Sequence, residues 1–146
     1  MVSIITAAYN AERFIGETIG AVRAQTHTDW EMIVVNDGSK DGTAGVVQGF
    51  IEREIAERGA SRIRLISQPN GGTAKARNTG LAAAQGRYVA ILDADDIWDA
   101  AYLQKQLAFM AQHGATLVMA RIGVLTSAGR RFCARSLPRR ARITAI

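Results

Sequence analysis

Four times along this chain an apolar, β-rich run gives way to a polar loop and then to a stretch of helical periodicity, and this alternation constrains the fold more than any other feature. Val2 to Ala8, Trp30 to Val35, Arg62 to Ser67 and Arg87 to Leu92 read as strands, being short β-rich runs bounded by turn residues. From Ala11 to about Gln25, the positions Phe14, Ile15, Thr18, Ile19 and Val22 recur at three- and four-residue spacing, one face of an amphipathic helix. Helices are also expected from about Thr43 to Glu57, in the Ala-rich stretch after Gly72, and from Asp99 to about His113, where Leu103, Leu107 and Met110 share a face. Ala115 to Val124 reads as a further strand and Ser127-Ala128-Gly129 as a tight turn. Strand-helix alternation with right-handed crossovers predicts an α/β fold: a mostly parallel twisted sheet with helices on both faces.

The polar residues gather after the strands. The first run ends at Tyr9-Asn10, the second at Asn36-Asp37-Gly38-Ser39, and the fourth at Asp93-Ala94-Asp95-Asp96, three carboxylates in four positions. In an open α/β sheet such ends face the crevice where ligands bind. If the backbone stays extended, Asp93 and Asp95 point to the same side. Like charges held that close repel unless a proton or cation lies between them. The stretch therefore suits a hard divalent ion such as Mg²⁺ or Mn²⁺, a carboxyl of raised pKa, or a solvated cap of the next helix. After the third strand, Asn70-Gly71-Gly72-Thr73-Ala74-Lys75-Ala76-Arg77 opens a helix with two cations in its first turns. It reads either as an anion-binding helix start or as a glycine entry with exposed basic residues. It is neither a Walker loop nor a Gly-x-Gly-x-x-Gly fingerprint. Carboxylates and cations converging on one crevice suit a nucleotide diphosphate, with a divalent ion bridging the phosphates to aspartate.

Composition bounds the remaining possibilities. The 146 residues, 48% apolar, can bury one core, and Cys133 as single cysteine excludes an internal disulfide. No apolar segment approaches the roughly 18 residues of a membrane span and no basic leader precedes the first strand, so a cytoplasmic chain is expected. The net charge of +5 is unevenly placed: all 13 acids precede residue 100, whereas Arg130, Arg131, Arg135, Arg139, Arg140 and Arg142 crowd the end. Residues 1–129 are thus read as the domain and 130–146 as a basic tail. The tail suits a solvated end or peripheral contact with an anionic membrane. Nucleic-acid binding is not expected, since the body is slightly acidic and no aromatic follows Phe132.

Four segments in order, Val2 to Asn10, Val35 to Thr43, Asn70 to Gly80 and Leu92 to Asp96, resemble the family 2 glycosyltransferases of GT-A fold, and the likeness extends over residues 2 to about 125, including Trp98 and Gln106. The resemblance implies a Rossmann-like three-layer α/β/α sandwich that binds a nucleotide-sugar donor, UDP-linked above all. It implies that Ala7 and Tyr9 line the nucleobase pocket, that Asp37 and Arg77 contact the base, and that Asp93 and Asp95 hold ribose and a Mn²⁺ or Mg²⁺ ion, with Asp96 as third member. It further implies an inverting single displacement onto a glycan or lipid-linked acceptor in polysaccharide or other glycan biosynthesis. The family's general base lies in an acidic motif well downstream, yet no Asp or Glu follows Asp99. His113, at a helix end, and His27, in a loop, read as surface residues. Two readings follow: a transferase whose base is supplied elsewhere, or a truncated nucleotide-sugar-binding module without transfer activity of its own. A sugar nucleotidyltransferase is disfavoured, because no glycine-rich basic loop follows the first strand. Apolar surface left uncovered by an absent second half makes self-association an expectation.

Overall fold

The computed structural model describes residues 1–118, 123–125 and 131–133. Contacts divide the chain into two compact units, Met1–Lys105 and Gln106–Ile146. The first holds a parallel sheet built from β1 (Val2–Ala8), β2 (Trp30–Asp37), β3 (Ile63–Gln68) and β4 (Tyr88–Ile91), interleaved with α1 (Ile15–Arg23), α2 (Thr43–Arg58) and α3 (Thr73–Ala83). A further helix, α4 (Tyr102–His113), follows β4. The strand order is β3-β2-β1-β4. Val2 pairs with both Trp30 and Tyr88, and Met32 pairs with Ile63, all in parallel register.

The chain steps outward from β1 through β2 to β3, then returns to place β4 on the other side of β1. Right-handed crossovers then require α1 and α2 on one face and α3 on the opposite face, which yields three layers. Both faces of the central strands are consequently buried: Ile4, Ile5, Met32, Ile33, Val34 and Val35 are all 0% exposed. This explains why Met32 to Val35 in β2 reads as an unbroken apolar run rather than an alternation. On α3, Ala76 packs with Ile33 and Val35. Gly80 comes so near β1 that a Cβ added there would lie 2.5 Å from Ile5 Cγ2.

Two buried carboxylates brace the amino-terminal end of the sheet. Glu31 accepts from Ser3 Oγ at 2.7 Å, Gln85 N at 2.7 Å and Arg64 Nη2 at 2.9 Å. Glu54 accepts from Arg62 N at 2.9 Å and Arg62 Nη2 at 3.2 Å, with Arg23 Nε at 3.6 Å. Burial works to raise both pKa values, and the donors outweigh it, leaving each below the ordinary glutamate value. Arg62 also lies 3.7 Å over the Trp30 ring, a close cation–π contact.

Several expectations need correction. Helix α1 begins at Ile15, not Ala11, because residues 11–14 turn tightly: Ala11 O accepts from both Phe14 N and Ile15 N at 2.9 Å. Phe14, expected on the core stripe, is 50% exposed, while Ile15, Thr18, Ile19 and Val22 are buried. Strand β4 stops at Ile91, and the backbone turns at the acidic stretch instead of staying extended, with Asp96 N donating to Asp93 O at 3.1 Å. Of the strand expected from Ala115 to Val124, residues 115–118 are not strand, residues 119–122 lie outside the described residues, and β5 spans Gly123–Leu125. It pairs antiparallel with β6 (Arg131–Cys133) in a sheet of its own and does not extend the parallel one. The turn expected at 127–129 and most of the basic tail lie outside the described residues.

Two glycine substitutions should act with opposite sign. Gly80→Ala meets Ile5 and should lower stability by about 1–3 kcal/mol by overpacking, less the helix-propensity gain of about 1 kcal/mol. Gly49→Ala, in α2 with nothing within 4 Å, should raise stability by about 0.5–1 kcal/mol. Urea denaturation of both variants measures the two shifts.

Candidate functional site

The reversal of strand order falls between β1 and β4, and at that point the carboxyl ends of both strands open into a cleft of about 560 Å³. The β1 end contributes Ala7, Tyr9, Asn10 and Ala11, the turn before α1 contributes Phe14, the start of α3 contributes Thr73 and Arg77, and the turn after β4 contributes Asp93, Ala94 and Asp95. Five of the six residues expected at a nucleotide site, Ala7, Tyr9, Arg77, Asp93 and Asp95, thus meet in one place.

Hydrogen bonds between loops shape the β1 side. Asn10 has a φ of 50°, in the left-handed region that asparagine tolerates. Its N–H donates to Ser39 Oγ at 3.0 Å, and its Oδ1 accepts from Lys40 N at 2.9 Å. Ala11 N donates to Thr43 Oγ1 at 2.8 Å, Glu12 N to Asp41 Oδ2 at 3.1 Å, and Gly42 N to Glu12 Oε2 at 2.8 Å. The loop after β1 is therefore laced to the loop after β2. Asp41, which also accepts from the Thr43 hydroxyl, has its pKa lowered chiefly by that bond.

The acidic turn is held from beneath by α1 and the segment after it. Thr18 Oγ1, fully buried, donates to Ala94 O at 2.8 Å, fixing the peptide between the two cleft carboxylates. Further along, Gln25 Nε2 donates to Asp99 O at 2.8 Å while its Oε1 accepts from Leu103 N at 3.0 Å. Asp93 Oδ1 accepts from Arg77 Nη2 at 2.6 Å. Asp95 makes no hydrogen bond or ion pair to another described residue. Asp96 does not line the cleft; burial first, then the charges of Asp93 and Asp95, push its pKa up.

Asp37 is placed otherwise. It is buried, 3% exposed, and is not among the cleft-lining residues. Its Oδ1 accepts from Gln68 Nε2 at 2.7 Å and Gly71 N at 2.9 Å, and its Oδ2 from Gly72 N at 2.8 Å. The Gln68 bond first, then the two loop amides and the charge of Lys75, hold its pKa below the ordinary aspartate value. The amide donors expected to be free for an anion at the start of α3 are, at Gly71 and Gly72, already taken by this carboxylate. Phe14, expected on the core stripe, stands on the cleft wall instead. Asn10, at the polar end of the first strand, lines the cleft as well, and so does Thr73, which neither charge nor periodicity marks. The histidines line no part of the cleft: His27 Nε2 lies 3.1 Å from Asp29 O, and His113 stacks on Phe109 at 4.1 Å.

The residues can be tested against a divalent ion. Among the described residues no three His, Cys, Asp or Glu side chains form a closed metal cage. Mg²⁺-type ions are nonetheless held by one or two carboxylates completed by water and substrate phosphates. Asp95, unpaired and on the cleft wall, with Asp93 beside it, fits that donor set.

A parallel sheet with a charged cleft at its switch point makes this a Rossmann-like α/β protein, and comparison with known proteins narrows the class. The chain belongs to glycosyl transferase family 2, whose model matches residues 3–140. It is 45% identical over 113 residues to TuaG of Bacillus subtilis, a candidate teichuronic acid biosynthesis glycosyltransferase, covering 77% of this chain and 42% of that protein. It is 40% identical over 119 residues to WfgD of Escherichia coli, named as a UDP-Glc:α-D-GlcNAc-diphosphoundecaprenol β-1,3-glucosyltransferase, covering 81% of this chain and 44% of that one. In structure it resembles a mannosyltransferase of Pyrobaculum calidifontis determined with GDP-Man and Mn²⁺, with a TM-score of 0.68, 29% identity, 75% of this chain covered and 32% of that one. The fold is thus of GT-A type. The chain spans less than half the length of these curated relatives.

Two predictions arise from the supports of the cleft. Thr18→Val, near-isosteric, removes the bond to Ala94 O and should cost about 0.5–1.5 kcal/mol of stability in urea denaturation. For Asp37 the sign follows from its lowered pKa. Its contribution is fully present above the ordinary aspartate value and is lost as pH falls through the lower folded value. Asp37→Asn should therefore be clearly less stable than the parent at pH 7, and the gap should narrow on acidification toward pH 3. A gap independent of pH would assign the loss to packing instead.

Proposed function

We propose that the cleft binds the nucleotide diphosphate portion of a sugar donor, a UDP-sugar above all, and that the chain is the donor-binding part of an inverting, metal-dependent glycosyltransferase of polysaccharide or other glycan biosynthesis. The observation that carries this reading is the meeting of Tyr9, Arg77, Asp93 and Asp95 at the switch point of the sheet. A divalent ion held there would stabilise the charge developing on the departing diphosphate. Tyr9, 51% exposed on the cleft wall, offers a ring to a base. Arg77 offers a cation in a cleft whose other charged walls are carboxylates. In the reaction the acceptor hydroxyl oxygen bonds to the anomeric carbon, the bond to the diphosphate breaks, and the nucleotide diphosphate leaves with the electron pair. The hydroxyl proton passes to a base that residues 1–146 do not supply as a carboxylate beyond Asp99. The named activity of WfgD supports a UDP-linked donor and a lipid-linked acceptor, and the mannosyltransferase with Mn²⁺ supports the metal.

A second reading, a nucleotide-sugar-binding module without transfer activity of its own, is favoured by that same lack of a late carboxylate. Among the described residues no helix is long and apolar enough to cross a membrane. With the single cysteine this supports action in the cytoplasm, and the terminal arginines support peripheral contact with an anionic membrane.

Calorimetric titration of UDP into the chain, with and without Mn²⁺, should show metal-enhanced binding. Asp95→Ala should remove the enhancement. Asp37→Ala should weaken binding in either condition, because its loss releases the loop at Gly71 and Gly72 that leads into the helix carrying Thr73 and Arg77. A donor hydrolysis or transfer assay on the same samples separates the readings: turnover supports the transferase, and binding without turnover supports the module.

A further inference from the structure

The Arg77–Asp93 pair differs from the bridges of the buried Glu31 and Glu54. The bridges of Glu54 and Glu31 are multiply bonded: Glu54 is fully buried and takes two side-chain or main-chain donors from Arg62 besides Ser61, and Glu31 takes three separate donors. Arg77 reaches Asp93 through one contact, Nη2 to Oδ1, with side chains 39% and 51% exposed. Its Nε is buried with no acceptor. The fork is therefore not matched to the carboxylate in the bidentate manner that makes such bridges strong, and a single half-exposed contact contributes little to stability. Yet it joins two residues that face the same cleft, one cationic and one a carboxylate beside the unpaired Asp95.

We propose that Arg77 is a positioning residue that stands in for a cation at Asp93 and links metal binding to nucleotide binding; this rests on the reading of the cleft as a nucleotide diphosphate and metal site. With the cleft empty of ligand, Arg77 neutralises Asp93 and competes with a divalent ion for it. An anionic ligand entering the cleft gives Arg77 another partner and leaves Asp93 to the ion. Each ligand thereby favours the other, and the coupling is reciprocal because it is a single free energy. The coupling exists because the pair is weak enough to open; the bridges at Glu31 and Glu54 could not serve.

The test is Mn²⁺ binding followed by electron paramagnetic resonance, with and without saturating UDP, on the full chain. Arg77→Gln should tighten Mn²⁺ binding in the absence of nucleotide by about two- to fivefold, the range a single exposed pair can supply. The factor by which UDP tightens Mn²⁺ should fall correspondingly. Arg77→Lys, which keeps a cation and guards against a folding defect, should stay near the parent in Mn²⁺ affinity. Lys75→Gln removes the same charge from the same helix without touching Asp93, and should change Mn²⁺ affinity less than Arg77→Gln. Unchanged or weaker Mn²⁺ binding in Arg77→Gln, or equal tightening in Lys75→Gln, overturns the link while leaving the donor site in place. Failure of the parent chain to bind Mn²⁺ with UDP at all overturns both this inference and the reading beneath it.

Discussion

Parallel pairing is the constraint from which the rest of this structure descends. Because all four strands of the main sheet run the same way, every carboxyl end opens on one edge and every return must be made by a helix across a face. The return through α3 carries the chain back past β1, and the reversal leaves a gap between β1 and β4 that no crossover fills. A cleft at this place is a consequence of connectivity, not of any one side chain. What the side chains decide is its charge.

The two ends of the sheet treat carboxylates in opposite ways. Glu31 and Glu54 are buried and each is supplied with several donors, arginines among them, so that the cost of desolvation is offset where it is incurred. At the other end Asp93 and Asp95 remain exposed on the cleft wall, one held by a single contact and the other by none among the described residues. The arrangement retains ligand-binding capacity at the open end and commits it to structure at the closed one. Thr18 and Gln25 belong to the closed side of this division. They bond the backbone of Ala94, Asp99 and Leu103, so the main chain around the acidic turn is tied to α1 and the segment after it, while its carboxylates make few contacts.

Much of this was legible in the sequence, and the failures have physical causes. The strands of the main sheet and helix α2 fell within a residue or two of their observed bounds, because β-branched runs and glycine punctuation are local signals. Phe14 misled because periodicity registers a side chain's angle around a helix, and Phe14 precedes the first helical residue, where that angle has no meaning. The run after Ala115 misled for another reason: an apolar stretch does not encode its partner, and β5 pairs antiparallel with β6 instead of joining the parallel strands. The cleft residues Tyr9, Asn10, Asp93 and Asp95 were readable from polarity at strand ends and Arg77 from its place at a helix start, whereas Thr73 was not, since neither charge nor periodicity marks it. Equally, no spacing in the sequence could show that Asp93 would meet Arg77, sixteen residues away, before meeting any ion.

Asp37 stands between two roles. Resemblance assigns it to a base, whereas its bonds assign it to the loop that starts α3. A carboxylate offers about four lone-pair directions, and Gln68, Gly71 and Gly72 occupy three. One acceptor direction is left, but at 3% exposure it is closed to solvent. For a base to use it, the loop at residues 70–72 must part from the one at 38. Gly38, with a φ of 75°, lets the two lie so close that a Cβ would stand 2.7 Å from Asn70 N. The two roles are therefore compatible in valence and opposed in space. The free energy that closes the loop over Asp37 is the same free energy a nucleotide would have to overcome to reach it, so a nucleotide that does bind there gains less than the hydrogen bond alone is worth.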